Sequence, residues 1–267
     1  MATLSSKFAD LKARREGALV LFVTAGDPPL TELPSILQFL TESGADIIEV
    51  GIPFSDPIAD GPIIQASSQR ALDRGVTPQD VYDALAKWDN PGVPLVAMGY
   101  YNPILRRGLD ASAADLRAAG VAATIISDLT PEESDAWVAA SAASGLDTVF
   151  LAAPTSTDAR LQEVGRRATG FLYAISRTGV TGSAQAKSGS IEALVSRIRA
   201  HTAAPICVGF GISTPDQVLE VCRCADGAVV GSWLVDRLQK DWDDVNSRKE
   251  LGKMIYNLKQ ATRSVAN

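Results

Sequence analysis

The sequence has few of the residues that build metal centres and disulfide frameworks. Its 267 residues include one histidine, His201, and three cysteines, Cys207, Cys222 and Cys224. An odd number of cysteines within patterned segments is typical of a reducing compartment. Cys222 and Cys224 could be metal ligands, but no second cysteine pair or histidine cluster accompanies them, so packing thiols are the better interpretation. We expect no metal site and no histidine chemistry.

Long hydrophobic runs and clusters of positive charge are absent as well. No apolar run approaches the roughly 18 residues of a membrane span, and residues 1–16 form a polar, amphipathic stretch without a signal core. The formal net charge is −6 and the basic residues are scattered, which leaves no surface suited to nucleic acid or anionic lipid. We therefore predict a cytoplasmic protein whose partners are small molecules or another protein.

A repeating unit organises the chain: a short β-branched apolar run, a polar turn and a segment with helical periodicity. The apolar runs lie at residues 18–23, 46–50, 94–98, 122–126, 148–151, 170–174, 205–208 and 227–230. Eight such units predict an α/β fold, a single (β/α)8 TIM barrel with an extra N-terminal helix. An open doubly wound sheet is the competitor, but its Gly-x-Gly-x-x-Gly motif is missing after the first run. With no linker in view, we expect one domain over residues 1–267.

Helices are predicted between and after these runs, and two of them have recognisable starts. Their ranges are 32–43, 63–74, 78–87, 111–119, 132–144, 159–167, 191–201, 215–224 and 244–262. Thr130 before Pro131 and Thr214 before Pro215 each offer an N-cap hydroxyl and a helix-compatible first residue.

Glu49 interrupts an apolar run that is otherwise suited to burial. Polar residues at the carboxyl ends of barrel strands face the active site, so its position makes it a catalytic candidate. A buried carboxylate without a partner has a raised pKa, which suits a group that gives and takes a proton near neutral pH. The alternative is a structural carboxylate bonded to a nearby backbone group or hydroxyl.

Asp60 belongs to an irregular loop, residues 53–62, that contains three prolines and two aspartates. Because prolines restrict the backbone, Asp60 before Gly61 and Pro62 could be held toward the barrel mouth. Asp56 or Asp60 could instead only cap a turn. Glu49 together with this loop indicates an active site more strongly than either feature does alone.

Glycine-containing loops follow the last three predicted strands, at residues 178–182, 209–213 and 231–232. Barrels often bind phosphate after their seventh and eighth strands, through backbone amides and the N-terminus of a short helix that Ser232 would open here. A side chain would hold the backbone away from phosphate oxygens, so Gly209, Gly211 and Gly231 are candidates alongside Ser232. Ordinary turn glycines are the alternative interpretation.

Four segments resemble the tryptophan synthase alpha chain family: FVTAGDP at 22–28, EVGIPFSDPIADGP at 49–62, SRTGVTG at 176–182 and VGFGIS at 208–213. The resemblance extends from about Phe8 to Leu238, in the family's order and with similar spacing. It implies a lyase that cleaves indole-3-glycerol phosphate to indole and glyceraldehyde 3-phosphate. By the family pattern Glu49 moves the proton, Asp60 faces the indole nitrogen and stabilises the cationic intermediate, and Tyr173 assists through its hydroxyl.

The resemblance also implies a substrate-binding set and a lid. Phe22 and the apolar strand ends would flank the indole, and residues 178–189 would form a lid in which Thr181 contacts the carboxylate loop. Backbone amides would hold the phosphate around Gly182, Gly211, Gly231 and Ser232.

The family's partner is the beta subunit, which binds pyridoxal phosphate, in an alpha2beta2 heterotetramer. The alpha chain itself would need no cofactor, and the 53–60 loop and the segment Tyr101-Asn102-Pro103 resemble the contact surface. The segments Ser127–Thr130 and Met98–Tyr100 depart from the family pattern and bear on partner coupling.

Three other functions remain open on these residues. A free-standing indole-3-glycerol phosphate lyase would share every catalytic residue and work without a beta subunit. A barrel isomerase acting on a phosphorylated sugar or ribosyl-aminoimidazole would share the phosphate loops but place aspartates or cysteine at other strand ends. A non-catalytic activator of a beta subunit would not need the carboxylates.

Overall fold

Eight parallel strands close into a barrel in the computed structural model, which describes residues 2–175, 188–209 and 211–263. Each strand pairs with the next in sequence, and β8 pairs with β1. The strands are β1 Ala18–Thr24, β2 Ile47–Gly51, β3 Leu95–Gly99, β4 Val121–Ile126, β5 Asp147–Ala152, β6 Leu172–Ile175, β7 Ile206–Gly209 and β8 Gly227–Val230. The predicted barrel is confirmed, and each predicted strand boundary lies within two residues of the observed one.

Helices pack around this barrel, with one more at its N-terminus. Within the described ranges they are α1 Leu4–Ala13, α2 Leu33–Ser43, α3 Pro62–Asp73, α4 Pro78–Ala86, α5 Tyr101–Arg107, α6 Leu109–Ala118, α7 Asp135–Ser144, α8 Asp158–Arg167, α9 Ser188–Arg199, α10 Pro215–Cys222, α11 Ser232–Asp241 and α12 Val245–Arg263. The extra N-terminal helix is α1. The helix α5 was not predicted, because seven residues make only about two turns and show no clear periodicity. None of the described helices combines the length and apolar character that a membrane span requires.

The two predicted threonine caps have different outcomes. The Thr214 hydroxyl accepts the Gln217 amide at 3.3 Å, and the Gln217 side chain accepts the Thr214 amide at 3.2 Å, a reciprocal cap at the start of α10. The Thr130 prediction was wrong, since Thr130 precedes a short 3-10 turn and its hydroxyl donates to the Glu133 carboxylate at 3.2 Å. The side chain of Glu133 draws the hydroxyl away from the backbone amides, and α7 starts only at Asp135.

The direction of each strand side chain decides where the active site forms. Side chains two residues apart share a face, so β2 directs both Ile47 and Glu49 into the barrel. The register places Phe22 of β1 beside Glu49. At the opposite, amino-terminal end, α1 closes the barrel, and its Phe8 ring packs edge-on against Phe171 with centroids 6.0 Å apart. The barrel interior is therefore apolar and closed at its amino-terminal end. It is polar at the carboxyl ends of its strands.

Candidate active site

A cavity opens at the carboxyl ends of the strands, and every strand or the loop after it contributes to its wall. It contains about 810 Å³ of empty space, including open solvent at its mouth. Its wall consists of Phe22, Glu49, Ala59, Asp60, Gly61, Ile64, Met98, Ile125, Ser127, Leu151, Tyr173, Ile175, Gly211, Gly231 and Ser232. Most of this surface is apolar, which suits an aromatic ligand with a few polar groups placed at defined points.

Glu49 is the most deeply buried ionisable group of the cavity, with only 1% of its surface exposed. Neither carboxylate oxygen has a hydrogen-bond partner among the described residues. Burial in these apolar surroundings and the nearby charge of Asp60 raise the pKa of Glu49 to about 8. A structural carboxylate would be hydrogen-bonded. The arrangement instead leaves a protonated acid available to a ligand at neutral pH.

Asp60 reaches the same cavity from the loop between β2 and α3. The Gln65 side chain on α3 donates to the Asp60 backbone carbonyl at 2.8 Å, and the Tyr100 hydroxyl donates to the Asp60 carboxylate at 3.0 Å. Burial raises the pKa of Asp60 to about 6, against the lowering effect of the Tyr100 hydrogen bond. Asp56, the other aspartate of the loop, lies exposed and accepts a hydrogen bond from Ser55 at 2.6 Å. Of the two aspartates in this loop, only Asp60 lines the cavity together with Glu49.

Tyr173 of β6 completes the polar group of the cavity. Its burial, and after it the charges of Glu49, Cys207 and Asp60, raise the pKa of the Tyr173 hydroxyl well above its ordinary value, so the group stays protonated. A Cβ atom on Gly209 would lie 2.2 Å from the Tyr173 hydroxyl oxygen. The absence of a side chain at Gly209 therefore makes room for Tyr173, and Gly209 itself does not line the cavity.

Gly211, Gly231 and Ser232 line the cavity after β7 and β8. Gly211 adopts a positive φ of 77°, a conformation that favours glycine, and Gly231 precedes α11, whose first residue is Ser232. The first amides of a helix have no partner within the helix, and the helix dipole adds positive potential there, so this corner suits an anion. Of the predicted phosphate ligands, Gly211, Gly231 and Ser232 come together, whereas Thr181 and Gly182 lie outside the described residues.

The family model described as tryptophan synthase alpha chain matches residues 8–264 of this chain. The chain belongs to the tryptophan synthase alpha chain family. The tryptophan synthase alpha chain of Geobacter sulfurreducens is 45% identical over 264 residues, which cover 98% of both proteins. Subunit alpha of tryptophan synthase from Legionella pneumophila has a similar structure, with a TM-score of 0.90, 32% identity and 99% coverage of both chains. A chain of Mycobacterium tuberculosis tryptophan synthase gives a TM-score of 0.89 at 38% identity, with 98% of this chain and 99% of that chain covered.

Tyr100 is a positioning residue that the sequence patterns did not identify in this member of the alpha chain family. Its hydroxyl donates to Asp60 and accepts the Ala59 amide at 3.1 Å, while its ring stacks on Phe54 with centroids 4.9 Å apart. Tyr100 directly follows β3, so it lies one strand away from the loop that it holds. A tyrosine just beyond a strand end, where barrels place polar active-site groups, was the available signal.

Replacing Tyr100 with Phe should lower kcat/KM for the cleavage of indole-3-glycerol phosphate about 10-fold at pH 7. This is the effect of losing one hydrogen bond to a charged group. Without the bond that lowers the pKa of Asp60, that pKa should rise, and the acidic limb of the pH profile should move to higher pH. The profile of kcat/KM against pH measures both effects. Tyr256→Phe on the exposed side of α12 is the matched control. An unchanged acidic limb in Tyr100→Phe would show that Tyr100 does not position Asp60.

Asp27 anchors the loop after β1 to α3, the helix that follows Asp60. Its buried carboxylate accepts hydrogen bonds from Ser67 at 2.8 Å, from Arg70 at 2.6 Å and from Arg74 at 3.1 Å. Burial acts to raise the pKa of Asp27, but these donors more than offset it and hold the pKa below its usual value. The ionised Asp27 thus fixes the middle and the C-terminal end of α3, the helix that follows the loop carrying Asp60.

Cys207 and Cys222 are buried, Cys224 is half-buried, and all three are free thiols. His201 lies after α9, with its Nε2 atom 4.0 Å from Asp158. In the part of the chain that the structure describes, no group of three or more histidine, cysteine or acidic side chains is arranged to hold a metal ion.

Proposed function

We propose that this chain catalyses the alpha reaction of tryptophan synthase, the cleavage of indole-3-glycerol phosphate to indole and D-glyceraldehyde 3-phosphate in L-tryptophan biosynthesis. One observation supports the choice of Glu49 and Asp60 as the reacting residues. The Glu49 carboxylate, which has no hydrogen-bond partner among the described residues, lies in an apolar cavity that it shares with Asp60. Family membership supports the same reaction.

The reaction needs a proton donor, a proton acceptor and a stabilised positive charge. A proton is added to C3 of the indole ring, the hydroxyl on the adjoining glycerol carbon loses its proton, and the bond between the two carbons breaks to form an aldehyde. Glu49, protonated at neutral pH because its pKa is about 8, is suited to donate the first proton. Its carboxylate can then accept a proton from the glycerol hydroxyl, so the acid is restored.

Asp60 has the complementary charge state. Its pKa of about 6 leaves it mostly ionised at pH 7, and an anion stabilises the positive charge that develops on the indole nitrogen. Two carboxylates in one cavity whose pKa values differ in this way are typical of an acid and a charge-stabilising anion acting together. Tyr173, which stays protonated, can donate a hydrogen bond to a substrate oxygen.

The phosphate of the substrate is proposed to bind at the amides around Gly211, Gly231 and Ser232. The N-terminus of α11 supports this placement through its free amides and dipole. Phe22 projects from β1 beside this corner, and a Cβ atom on Gly231 would lie 3.7 Å from the Phe22 Cβ atom, so the phenyl ring can flank the ligand. Thr181, Gly182 and the lid stay predictions, and so does a phosphate contact by Gly209.

A beta subunit that carries pyridoxal phosphate is the proposed partner, in an alpha2beta2 heterotetramer. The proposed contact surface consists of the loop before Asp60 and the helix α5. It exposes two large apolar side chains, Ile58 with 83% and Leu105 with 53% of their surface accessible. Phe54 of the same loop stacks on Tyr100, so contacts at this surface connect directly to the tyrosine that holds Asp60.

The test is indole release from indole-3-glycerol phosphate by the purified chain, measured with and without a pyridoxal-phosphate beta subunit. We expect slow release by the chain alone and a sharp rise when the partner is added, because a partner at the loop surface would order the residues around Asp60. Fast release that the partner does not change would identify a free-standing lyase. No release under either condition would refute the proposed roles of both carboxylates.

A further inference from the structure

The order of the strands places the two ends of the substrate on opposite sides of the cavity. In a closed barrel of eight strands, β3 and β4 lie across from β7 and β8. If the proposed function holds and the phosphate binds after β7 and β8, the indole ring lies against β3, β4 and β5. The wall there is built from Met98, Ile125, Leu151 and Ser127.

Three of these four side chains are apolar, as expected around an indole ring, and Ser127 is the exception. Its backbone amide donates to the Gly99 carbonyl at 2.9 Å, which holds the residue where β3 and β4 end. The Ser127 hydroxyl is buried and has no hydrogen-bond partner among the described residues. A hydroxyl that is buried without a partner is destabilising unless a ligand or a water molecule satisfies it.

The neighbours of Ser127 do not satisfy its hydroxyl. Asp128, the next residue, accepts the Tyr101 amide at 2.8 Å and so faces α5. Thr124, which lies on the opposite face of β4, accepts the Trp137 ring nitrogen at 3.2 Å behind the strand. Asp128 and Thr124 are thus engaged away from the cavity, whereas Ser127 contributes to its wall and its hydroxyl has no partner among the described residues.

We infer that Ser127 is a specificity-determining residue, whose hydroxyl hydrogen-bonds a polar substituent on the benzene ring of the indole. The benzene ring of indole itself carries only C–H groups, which cannot satisfy a hydroxyl. A ring hydroxyl or amino group can do so, since the serine both donates and accepts. The structure therefore assigns ring-hydroxylated indoles as a further class of substrate for the same site.

The reverse reaction tests this inference, because simple indoles can be supplied in place of the phosphorylated substrate. The experiment is the condensation of glyceraldehyde 3-phosphate with indole and with the hydroxyindoles substituted at each benzene carbon, kept under nitrogen. Each hydroxyindole is paired with the methylindole of the same position, whose substituent has a similar size but no hydrogen-bonding capacity. The readout is the ratio of kcat/KM for the two members of each pair.

We expect wild-type protein to favour the hydroxyindole at one position at least. In Ser127→Ala that ratio should fall about 2- to 10-fold, the effect of one neutral hydrogen bond, whereas Ser127→Thr, which keeps the hydroxyl, should preserve it. Because both kinetic values come from one protein, a general loss of activity in a variant leaves the ratio unaffected. Thermal unfolding of the three proteins checks that the barrel is intact.

Two results would overturn the inference, and they can be told apart. If indole condenses but no ratio favours a hydroxyindole in wild-type protein, or none falls in Ser127→Ala, then Ser127 has no part in specificity and the proposed function stands. If wild-type protein with its beta subunit condenses no indole at all, the proposed function fails and the inference fails with it.

Discussion

Replacing Glu49 with Gln should lower kcat for the cleavage by about 10²–10⁴-fold, the contribution of a positioned acid/base. Gln has the shape of Glu but cannot transfer a proton to the indole C3 atom. The fold should be retained, because neither Glu49 oxygen has a hydrogen-bond partner among the described residues that the substitution would disturb. The free energy of unfolding should rise or stay the same. The raised pKa of Glu49 shows that folding disfavours its charged form, and Gln has no charged form.

The measurement is indole release over a range of substrate concentrations in the presence of the beta subunit, which gives kcat and kcat/KM at each pH. In wild-type protein kcat/KM should be highest between pH 6 and pH 8, since below about 6 Asp60 is protonated and above about 8 Glu49 loses its proton. The residual activity of Glu49→Gln should lack the basic limb. Glu250→Gln on the exposed side of α12 is the control for the change of charge. A variant at position 49 with near-normal kcat would show that another group moves the proton.

Replacing Asp60 with Asn should lower kcat/KM by about 10²-fold or more, the size found when one group that stabilises transition-state charge is removed. Asn keeps the shape and can still accept from the Tyr100 hydroxyl, which donates to Asp60 at 3.0 Å. Only the negative charge that we propose to face the indole nitrogen is lost. The effect should therefore appear in the chemical step rather than in the position of the loop.

The pH profile of Asp60→Asn gives a second and independent readout. The acidic limb should disappear, because it reports the protonation of Asp60. The basic limb should move to lower pH, since the charge of Asp60 is one of the two causes that raise the pKa of Glu49. Asp83→Asn on α4 serves as the control for an exposed aspartate. An unchanged basic limb would mean that the two carboxylates do not interact, contrary to their placement in one cavity.

Much of the candidate site was predictable from the sequence. Glu49 was evident as a carboxylate within an apolar run, and Asp60 as an aspartate in a proline-rich loop after the same strand. The roles of Tyr100 and Ser127 were not predictable in this way, although both lie just beyond strand ends. Hydrophobic periodicity shows which face of a strand is buried, but it does not show which buried polar atoms lack partners.

Gly209 illustrates the same limit. The glycine pattern after β7 predicts close approach of the backbone to a phosphate, and the structure places the Tyr173 hydroxyl where a Gly209 side chain would be. Both situations require a residue without a side chain. A glycine in the sequence therefore predicts a close approach without identifying what approaches it.

The sequence by itself determined the number and order of the β/α units, the family and the two carboxylates, because short-range patterns encode strands, helices and contiguous motifs. Only the tertiary structure decided that Tyr100 donates to Asp60, which is 40 residues earlier, and that no described side chain reaches the Glu49 oxygens. Contacts between residues this far apart in sequence depend on strand pairing, which brings the carboxyl ends of β2 and β3 together at one rim. The pKa values that separate an acid from an anion follow from those contacts and from burial, so they are properties of the folded barrel.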